Sequence, residues 1–255
     1  EYAPCEGIII SYHPNYSAAI LTIVRQMAVQ MTTLGQAKAY IVFQSTATRD
    51  STLTQLQADG ADMSRIVPIV STLNSIWMRD YGPRYIYEGG CRAIIDHTYN
   101  RPTRTSDNNF PIVFGALKHH ALYTIPLIHG GGNFQLDSLG RSHATRLIVN
   151  ENPTLTEPQI VNIWRQYQNV DTTLYTPFPT SVDSTQHIDM WVQVLADNKV
   201  MVSDWPADAG STQDVICDDA AANIFPGLGY QVFRIPARSV GGVHYTYTNV
   251  VMCND

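Results

Sequence analysis

The chain carries few charges and no hydrophobic run long enough to cross a membrane. Charged residues make up 15% of its 255 positions, and hydrophobic residues make up 44%. No apolar stretch approaches the roughly 20 residues of a transmembrane helix, so the sequence predicts no membrane span. The formal net charge is -6, which excludes the basic surface that nucleic-acid binding needs. The hydrophobic fraction indicates a substantial core and excludes a disordered chain.

Metal-binding sequence patterns are also absent. The four cysteines form no CxxC pair, no HExxH segment occurs, and we predict neither a metal nor a cofactor. The cysteines leave open one or two disulfides or four free thiols. The chain starts at Glu1 without a methionine or a signal peptide, which indicates a processed form. We therefore expect a secreted or cell-surface protein.

Strand-like apolar runs alternate with helix-like stretches along the whole chain. Strands are predicted at 7–14, 37–44, 65–70, 84–100 (a hairpin turned at Gly89-Gly90), 143–150, 190–205 (two strands joined at Asp197-Asn198), 230–236 and 245–253. Helices are predicted at 20–34, 50–60, 156–168 (with Thr156 as the N-cap) and 212–224. No low-complexity linker interrupts the chain. The recurring order of strands, helix and strand predicts one α/β domain of structural repeats over residues 1–255.

Two polar clusters interrupt these apolar runs. Trp77, Arg79 and Asp80 lie in "SIWMRDYGPRY", just before a Gly-Pro turn and between strand-like segments. His187 and Asp189 lie in "STQHIDMWVQV". Residues two apart on a strand share one face, so we expect His187 and Asp189 to point the same way.

A third cluster lies in "GGVHYTYTNVVMC" and contains His244, Asn249 and Cys253. If this segment is a regular strand, Asn249 and Cys253 share a face, because they are four residues apart. Taken alone, Asn249 reads as a side chain that bonds the backbone, and Cys253 reads as a small buried hydrophobic residue.

Asp80 and Asp189 together suggest a guanidinium site. A guanidinium carries five donors in a rigid fork, which two carboxylates match well. Trp77 could cover the face of the cation, and His187 could carry a proton near neutral pH. The alternatives are structural: a turn residue at Asp80 and a local hydrogen-bonded pair at His187 and Asp189.

A zinc site is a further alternative to the guanidinium site. It would combine His187 and Asp189 with His97 or His244. The two additional histidines lie in unrelated sequence contexts. The sequence therefore favours the guanidinium site.

The segments "WMRDYGP", "HIDMW" and "YTN", in this order, resemble the guanidino-group-modifying superfamily, which includes the agmatine deiminases. The stretches "IIISYHPNYS" and "YNRPTR" resemble the Porphyromonas-type bacterial peptidylarginine deiminases of that superfamily. The resemblance covers the chain from about Gly7. It implies a pentein α/β propeller of five ββαβ units around a pseudo-fivefold axis.

The resemblance also implies roles for individual residues. Asp80 and Asp189 resemble the guanidinium-binding carboxylates, His187 the acid and base, Asn249 the active-site asparagine and Trp77 the aromatic wall. The implied reaction converts arginine to citrulline and ammonia. A cysteine thiolate attacks the guanidinium carbon, and a covalent thiouronium intermediate is then hydrolysed.

The family nucleophile lies in a Gly-x-x-His-Cys segment that follows the Y-x-N strand. In this chain "GGVHY" has tyrosine after His244, and it precedes Asn249. We therefore expect the nucleophile and most of the last repeat to lie beyond Asp255. Cys253 is the alternative nucleophile.

Substrate choice is implied by two further stretches. The family resemblance assigns Arg101 and Arg104, in a loop stiffened by Pro102, to the terminal carboxylate of an arginine peptide. Because Thr103 widens their spacing, a contact by only one of the two arginines stays open, as does a solvated basic loop without a ligand. His129 in "HGGGN" stands where related small-molecule deiminases carry glutamate, which weakens an agmatine or free-arginine assignment. We therefore expect a peptide substrate with a C-terminal arginine. A small-molecule deiminase and a non-catalytic arginine-peptide-binding module are the alternatives.

Overall fold

The computed structural model describes residues 2–206, 211–241 and 243–254. These residues form two compact units. The first unit comprises Tyr2–Tyr123 together with residues 252–254, and the second comprises Thr124–Val251. Each unit combines small sheets with helices, which confirms the predicted α/β class.

The first unit begins with a parallel three-stranded sheet. Its elements are β1 (Gly7–Tyr12), α1 (Ala18–Thr33), β2 (Lys38–Phe43), α2 (Thr46–Ala58) and β3 (Ile66–Val70). Both strand pairs are parallel, as helical crossovers require. Ser17 and Ser45 cap the two helices, since each hydroxyl accepts a bond from a first-turn N–H. The predicted alternation of strands and helices is confirmed here.

The first unit continues through α3 (Met78–Tyr81), β4 (Arg84–Glu88), β5 (Cys91–Tyr99) and α4 (Thr105–Lys118). The predicted hairpin is confirmed, because β4 and β5 pair antiparallel. Gly89 and Gly90 make its turn with φ values of 54° and 82°, a backbone region that favours glycine. Helix α4 was not predicted, because Pro111 and Gly115 interrupt its pattern. Burial of Phe110 and Phe114 overrides both breakers.

Strand β6 (Ala121–His129) contains the division between the units, and two sheets of the second unit follow it. The first sheet contains β7 (Gln135–Leu136), β8 (Arg141–Thr145) and β9 (Asp171–Tyr175). Helices α5 (Leu147–Glu151) and α6 (Glu157–Gln168) connect β8 to β9. Thr156 caps α6 in a reciprocal bond pair with Gln159, as predicted.

The second sheet of this unit repeats the same order. Strands β10 (Val192–Ala196) and β11 (Lys199–Asp204) form a hairpin, and β12 (Gln231–Pro236) adds parallel to β11. The connection runs through α7 (Ser211–Asp219), a π-helical turn (Ala220–Ile224) and α8 (Phe225–Gly227). A short hairpin of β13 (Arg238–Val240) and β14 (Val243–Tyr245) completes the unit. Both sheets have the ββαβ order, which confirms the predicted repeat in this unit.

Two strand predictions are wrong in part. The segment 143–150 is a strand only to Thr145 and then becomes α5, whose Ile148 is fully buried. The segment 245–253 has strand structure only at Tyr245. Its residues 246–250 bond locally, as when Thr248 N–H donates to the Thr246 hydroxyl at 3.1 Å. Asn249 and Cys253 therefore share no strand, and Cys253 belongs to the first unit.

A buried polar chain stabilises the second unit. The two ring nitrogens of His143 bond the hydroxyls of Tyr175 and Tyr230, both at 3.0 Å. Tyr230 also donates to the Asp137 carboxylate at 2.6 Å. Burial lowers the pKa of His143 to about 4, so the ring is neutral at physiological pH.

All four cysteines are free thiols in this structure. The disulfides left open by the sequence are therefore not formed in it. Across residues 2–206, 211–241 and 243–254, no helix has both the length and the apolar character to span a bilayer.

Candidate functional site

Asp80 lies on a single helical turn, α3, and not at the end of a strand. The Asp80 N–H donates to the Trp77 carbonyl at 2.9 Å, and the Gly82 N–H donates to the Met78 carbonyl at 2.7 Å. Gly82 is required at this position, because an added Cβ would lie 2.4 Å from the Met78 carbonyl oxygen. The turn is thus closed by its own backbone and by the Gly-Pro sequence that follows it.

A buried carboxylate anchors the chain just before this turn. Asp107, on α4, has no solvent exposure. It accepts bonds from the Asn74 N–H at 2.7 Å, the Ser75 N–H at 3.2 Å and the Ser75 hydroxyl at 2.7 Å. The Asn74 side chain in turn accepts bonds from the N–H groups of Ser106 and Asp107. These reciprocal bonds lock the start of α4 to the segment that leads into α3.

The backbone of Asp80 itself is held by His97 of β5. The His97 Nε2 lies 3.0 Å from the Asp80 carbonyl oxygen. Burial lowers the pKa of His97 to about 3, with a further contribution from the Arg84 charge. The ring is therefore neutral, and Nε2 carries the proton because a carbonyl only accepts. His97 acts here as a donor to the α3 turn.

Tyr99 links Asp80 to the predicted arginine pair. Burial and the Asp80 charge raise the pKa of Tyr99 to about 12, against the opposing charges of Arg104 and Arg101. Arg104 donates to the Tyr99 hydroxyl at 3.1 Å, and Arg101 donates to the Asn100 carbonyl at 3.2 Å. Arg104 thus contacts the Tyr99 phenol directly, and the charges of Asp80 and Arg101 act on the same phenol.

Trp77 precedes Asp80 by three residues and remains half exposed, at 49% of its full surface. Its N–H reaches the Ser75 hydroxyl at 3.4 Å, so its backbone belongs to the anchored segment. A half-exposed indole is suited to cover the face of a planar cation.

His187 and Asp189 lie in the second unit, on a 3-10 turn over Ile188–Met190. The prediction of a strand through both residues is wrong, because β10 begins only at Val192. Both side chains are buried, at 4% and 3% exposure. In a 3-10 turn, residues two apart do not share a face as they do on a strand.

Two threonines fix the backbone of this turn. The Thr145 hydroxyl donates to the Gln186 carbonyl at 2.8 Å, and the fully buried Thr248 hydroxyl donates to the Asp189 carbonyl at 3.0 Å. Gln186 has a φ of 57°, which places a sharp bend directly before His187. The Asn249 amide lies 3.4 Å from the Met190 sulfur, so Asn249 is brought to the same turn.

Aromatic side chains pack next to the Ile188–Met190 turn. Trp191 is completely buried, stacks on Phe178 with ring centroids 5.6 Å apart, and meets Tyr175 edge-on at 5.7 Å. The backbone N–H of Trp191 donates to the Ile188 carbonyl at 3.1 Å. His244 packs on Trp205 at 5.0 Å and near Phe178 at 6.1 Å. Burial lowers the pKa of His244, and the Asp183 charge opposes that shift.

The remaining sequence candidates lie elsewhere. His129 has no exposure and packs edge-on against Trp164 at 5.9 Å. Cys253 belongs to the first unit, as Cys5 does, whereas His244 and Asn249, with which the sequence grouped it, belong to the second unit. Among the residues that the structure describes, no three His, Cys, Asp or Glu side chains are grouped so that they could hold a metal ion.

Several residues that position the candidate site were missed by sequence reasoning. They are Asn74, Ser75, Asp107, Thr145 and Thr248. Each bonds across at least 30 positions of sequence, so no local pattern identifies it. Asp107 offered one signal, because an acid in the first turn of a helix with no other cap favours a structural role.

Comparison with known proteins identifies the family. The family model for the Porphyromonas-type peptidyl-arginine deiminases matches residues 1–255. The chain belongs to this family. The resemblance drawn from its three sequence motifs is therefore confirmed.

The match with each curated relative covers only part of that relative's length. A Shewanella sp. (strain MR-4) protein named as an agmatine deiminase is 32% identical over 153 aligned residues, and the match covers 52% of this chain and 41% of the relative. A Pectobacterium atrosepticum protein of the same name is 28% identical over 213 aligned residues, and the match covers 73% of this chain and 56% of the relative. The chain thus spans about half the length of these curated relatives.

Solved structures share the fold at low identity. A Porphyromonas gingivalis structure described as an arginine deiminase has a TM-score of 0.83 and 17% identity, and it covers 100% of this chain and 81% of that chain. A C. jejuni agmatine deiminase carrying a C315S change and bound substrate has a TM-score of 0.81 and 16% identity, covering 100% and 79%. The α/β fold therefore matches the fold of guanidino-modifying deiminases.

Proposed function

We propose that the protein hydrolyses the guanidinium of a peptide's C-terminal arginine to citrulline and ammonia. The observation that carries this proposal is Tyr99, whose hydroxyl accepts a bond from Arg104 at 3.1 Å and whose pKa also responds to the charges of Asp80 and Arg101. A carboxylate and two guanidinium groups acting on one phenol offer partners for both charges of a terminal arginine. Asp80 would bind the substrate guanidinium, and the arginines would bind the main-chain carboxylate.

The second unit would supply the remaining chemistry. Asp189 would bind the guanidinium with Asp80 and keep the substrate cationic, which favours attack on its central carbon. A cysteine thiolate would form the C–S bond of the tetrahedral adduct, and His187 would protonate the departing ammonia. His187 would then take a proton from water as it attacks the thiouronium carbon, which releases citrulline and the thiolate. Asn249, held beside Met190, would contact the bound substrate.

Cys253 is poorly suited to the nucleophilic role. Burial and contact with the Cys5 thiol raise its pKa, which lowers the thiolate fraction at neutral pH. Mapping the cysteine that an arginine-like haloacetamidine labels in the full-length protein would identify the nucleophile directly.

An agmatine deiminase is the second candidate, because the curated relatives above carry that name. Agmatine has no carboxylate, so it would leave Arg101 and Arg104 without a ligand. His129, where small-molecule deiminases carry glutamate, is fully buried against Trp164. It would offer no acid to the free amine of agmatine. The peptide substrate therefore accounts for more of the described residues.

The family relationship also supports two wider proposals. The repeated ββαβ order in the second unit fits a pentein propeller for the whole fold. Export from the cell would place the enzyme among extracellular peptides.

The decisive experiment measures citrulline production by the full-length protein. The substrates are a peptide with a C-terminal arginine, its C-terminal amide, free arginine and agmatine. We expect the free-carboxylate peptide to be the best substrate. Arg101→Ala or Arg104→Ala should lower kcat/KM for it about ten- to a hundredfold, because a charge-assisted contact is lost. Both variants should leave turnover of the amide unchanged.

Arg49→Ala is the matched control, since Arg49 lies on α2 and pairs only with its exposed neighbour Asp50 in the described contacts. Asp80→Asn and Asp189→Asn should each lower turnover of every substrate well over tenfold. Equal processing of peptide and amide would exclude the carboxylate role. Agmatine as the best substrate would replace the proposal with the second candidate. Tight binding of the peptide without turnover would indicate a binding module.

A further inference from the structure

Two cysteines from distant parts of the chain meet in the first unit. Burial raises the pKa of the Cys253 thiol, and the nearby Cys5 thiol raises it further. The next residue, Asn254, makes two hydrogen bonds to the Cys5 backbone. Its Oδ1 accepts from the Cys5 N–H at 2.8 Å, and its Nδ2 donates to the Cys5 carbonyl at 3.3 Å. The residue after Cys253 is therefore bonded twice to the backbone of Cys5.

The position of Cys253 is fixed from the other side by Gly35. A Cβ at Gly35 would lie 2.8 Å from the Cys253 sulfur and 2.9 Å from its carbonyl oxygen, so the close approach depends on glycine. Asn254 also donates to the Gly35 carbonyl at 2.9 Å. The Cys253 side chain packs against the apolar core that includes Met31 and Ile41. Packing of Cys253 and hydrogen bonds of Asn254 thus keep Cys253 and Cys5 next to each other.

We propose that Cys5 and Cys253 form a disulfide that fastens the segment 252–254 to the beginning of the chain. The other two cysteines are not comparable. Cys91 is exposed at the start of β5, and Cys217 is fully buried in α7. Burial raises the pKa of Cys217 strongly, so its thiol should stay unreactive.

The oxidation would proceed by exchange with a small disulfide such as glutathione disulfide. The Cys5 thiolate attacks one sulfur of glutathione disulfide, which forms a mixed disulfide and releases one glutathione thiolate. The Cys253 thiolate then attacks the Cys5 sulfur and displaces the second glutathione. Two protein thiols lose two protons and two electrons in total, and one glutathione disulfide becomes two glutathione molecules.

The test titrates the reduced full-length protein with glutathione redox buffers and measures its intact mass and peptide map. We expect Cys5 and Cys253 to lose two hydrogen masses and to appear as one cross-linked peptide, with glutathione retained on neither of them. Cys91→Ser should change neither result. Cys5→Ser should abolish the cross-link and leave Cys253 reduced or carrying glutathione.

Stability gives a second readout on the unmodified sequence. The disulfide would close a loop of more than two hundred residues, so oxidation should shift the unfolding equilibrium of the wild type by on the order of a thousandfold toward the folded state. The comparison uses one chain in two redox states, so it does not depend on a variant that folds. A glutathione adduct that persists on Cys5 beside a free Cys253 would overturn the proposal. A cross-link to Cys91 would overturn it as well.

A confirmed disulfide would also bear on localisation, because such bonds persist mainly in oxidising compartments. It would remove Cys253 from consideration as the catalytic nucleophile.

Discussion

Asp80 and Asp189 each lie on a short helical turn, but different forces hold the two turns. The Asp80 turn is held by polar groups: Asp107 accepts three bonds from Asn74 and Ser75, and His97 donates to the Asp80 carbonyl. The Asp189 turn rests on stacked aromatic side chains and on two threonine hydroxyls.

The tryptophan near each turn differs in the same way in its exposure to solvent. Trp77, next to the Asp80 turn, is 49% exposed, whereas Trp191, next to the Asp189 turn, is completely buried. The sequence contexts of the two tryptophans are alike, since each lies within three residues of the acid. One indole is therefore available to a ligand, and the other is part of the support. This contrast predicts that similar changes will have different effects in the two units.

The largest effect is expected at Trp191. Trp191→Ala removes a fully buried indole that contacts Phe178 and Tyr175, and it should lower the free energy of unfolding of the second unit by about 3–5 kcal/mol. Urea titration followed by circular dichroism measures this change. Trp191→Phe should recover part of the loss. A cost below about 1 kcal/mol for the alanine variant would mean that aromatic packing does not support the Asp189 turn.

The next largest effect is expected at Asp107. Asp107→Ala leaves three donors of Asn74 and Ser75 without their acceptor in a buried site, so the free energy of unfolding should fall by about 3 kcal/mol. Turnover should fall as well, because the segment before Asp80 loses its anchor. Asp50→Ala, which removes an exposed acid on α2, is the control. If both variants are equally stable, the polar anchor has no energetic role.

A pH effect of about 2 kcal/mol is expected from His143. Its folded-state pKa of about 4 lies below the ordinary histidine value of 6.5, so its contribution is present in full above pH 6.5. The contribution is lost as the pH falls from 6.5 towards 4, or by about 2 kcal/mol between pH 7 and pH 5. Unfolding at both pH values measures it.

His143→Gln should reduce this acid sensitivity of the second unit, and the exposed His119→Asn change should not. His97, whose pKa is lowered to about 3, should cause a similar acid sensitivity in the first unit. An unchanged stability difference between pH 7 and pH 5 in His143→Gln would show that His143 does not govern it.

The smallest stability effect is expected at Trp77. Trp77→Ala removes a half-exposed side chain, so the free energy of unfolding should change by less than about 1 kcal/mol. The KM for an arginine peptide should nevertheless rise, because the aromatic cover of the guanidinium is lost. A large loss of stability with an unchanged KM would make Trp77 a structural residue like Trp191.

Much of the fold was readable from local patterns. The parallel β1, β2 and β3 with their helices, the Gly89-Gly90 hairpin and the Thr156 cap all follow from hydrophobic periodicity and turn chemistry. Helix α4 was missed because Pro111 and Gly115 argue locally against a helix. Burial of Phe110 and Phe114, which is a tertiary effect, outweighs that local preference.

The strand predicted through His187 and Asp189 failed for a related reason. The alternating polar and apolar residues from His187 to Met190 fit a strand period. Thr145 and Thr248, far away in sequence, instead bond the backbone carbonyls of the turn that replaces it. A hydrogen bond between residues so far apart in sequence produces no local periodicity in the sequence.

The sequence by itself determined the family and the identity of the candidate residues, because "WMRDYGP" and "HIDMW" carry specific side chains in a specific order. Tertiary structure alone decided which tryptophan is exposed, which carboxylate is structural and which two cysteines meet. Asp107 and Asp80 are both acids near a helical turn, and only burial and bonding partners separate the anchor from the candidate ligand-binding group. Those partners come from distant segments, and the chain reveals them only after it has folded.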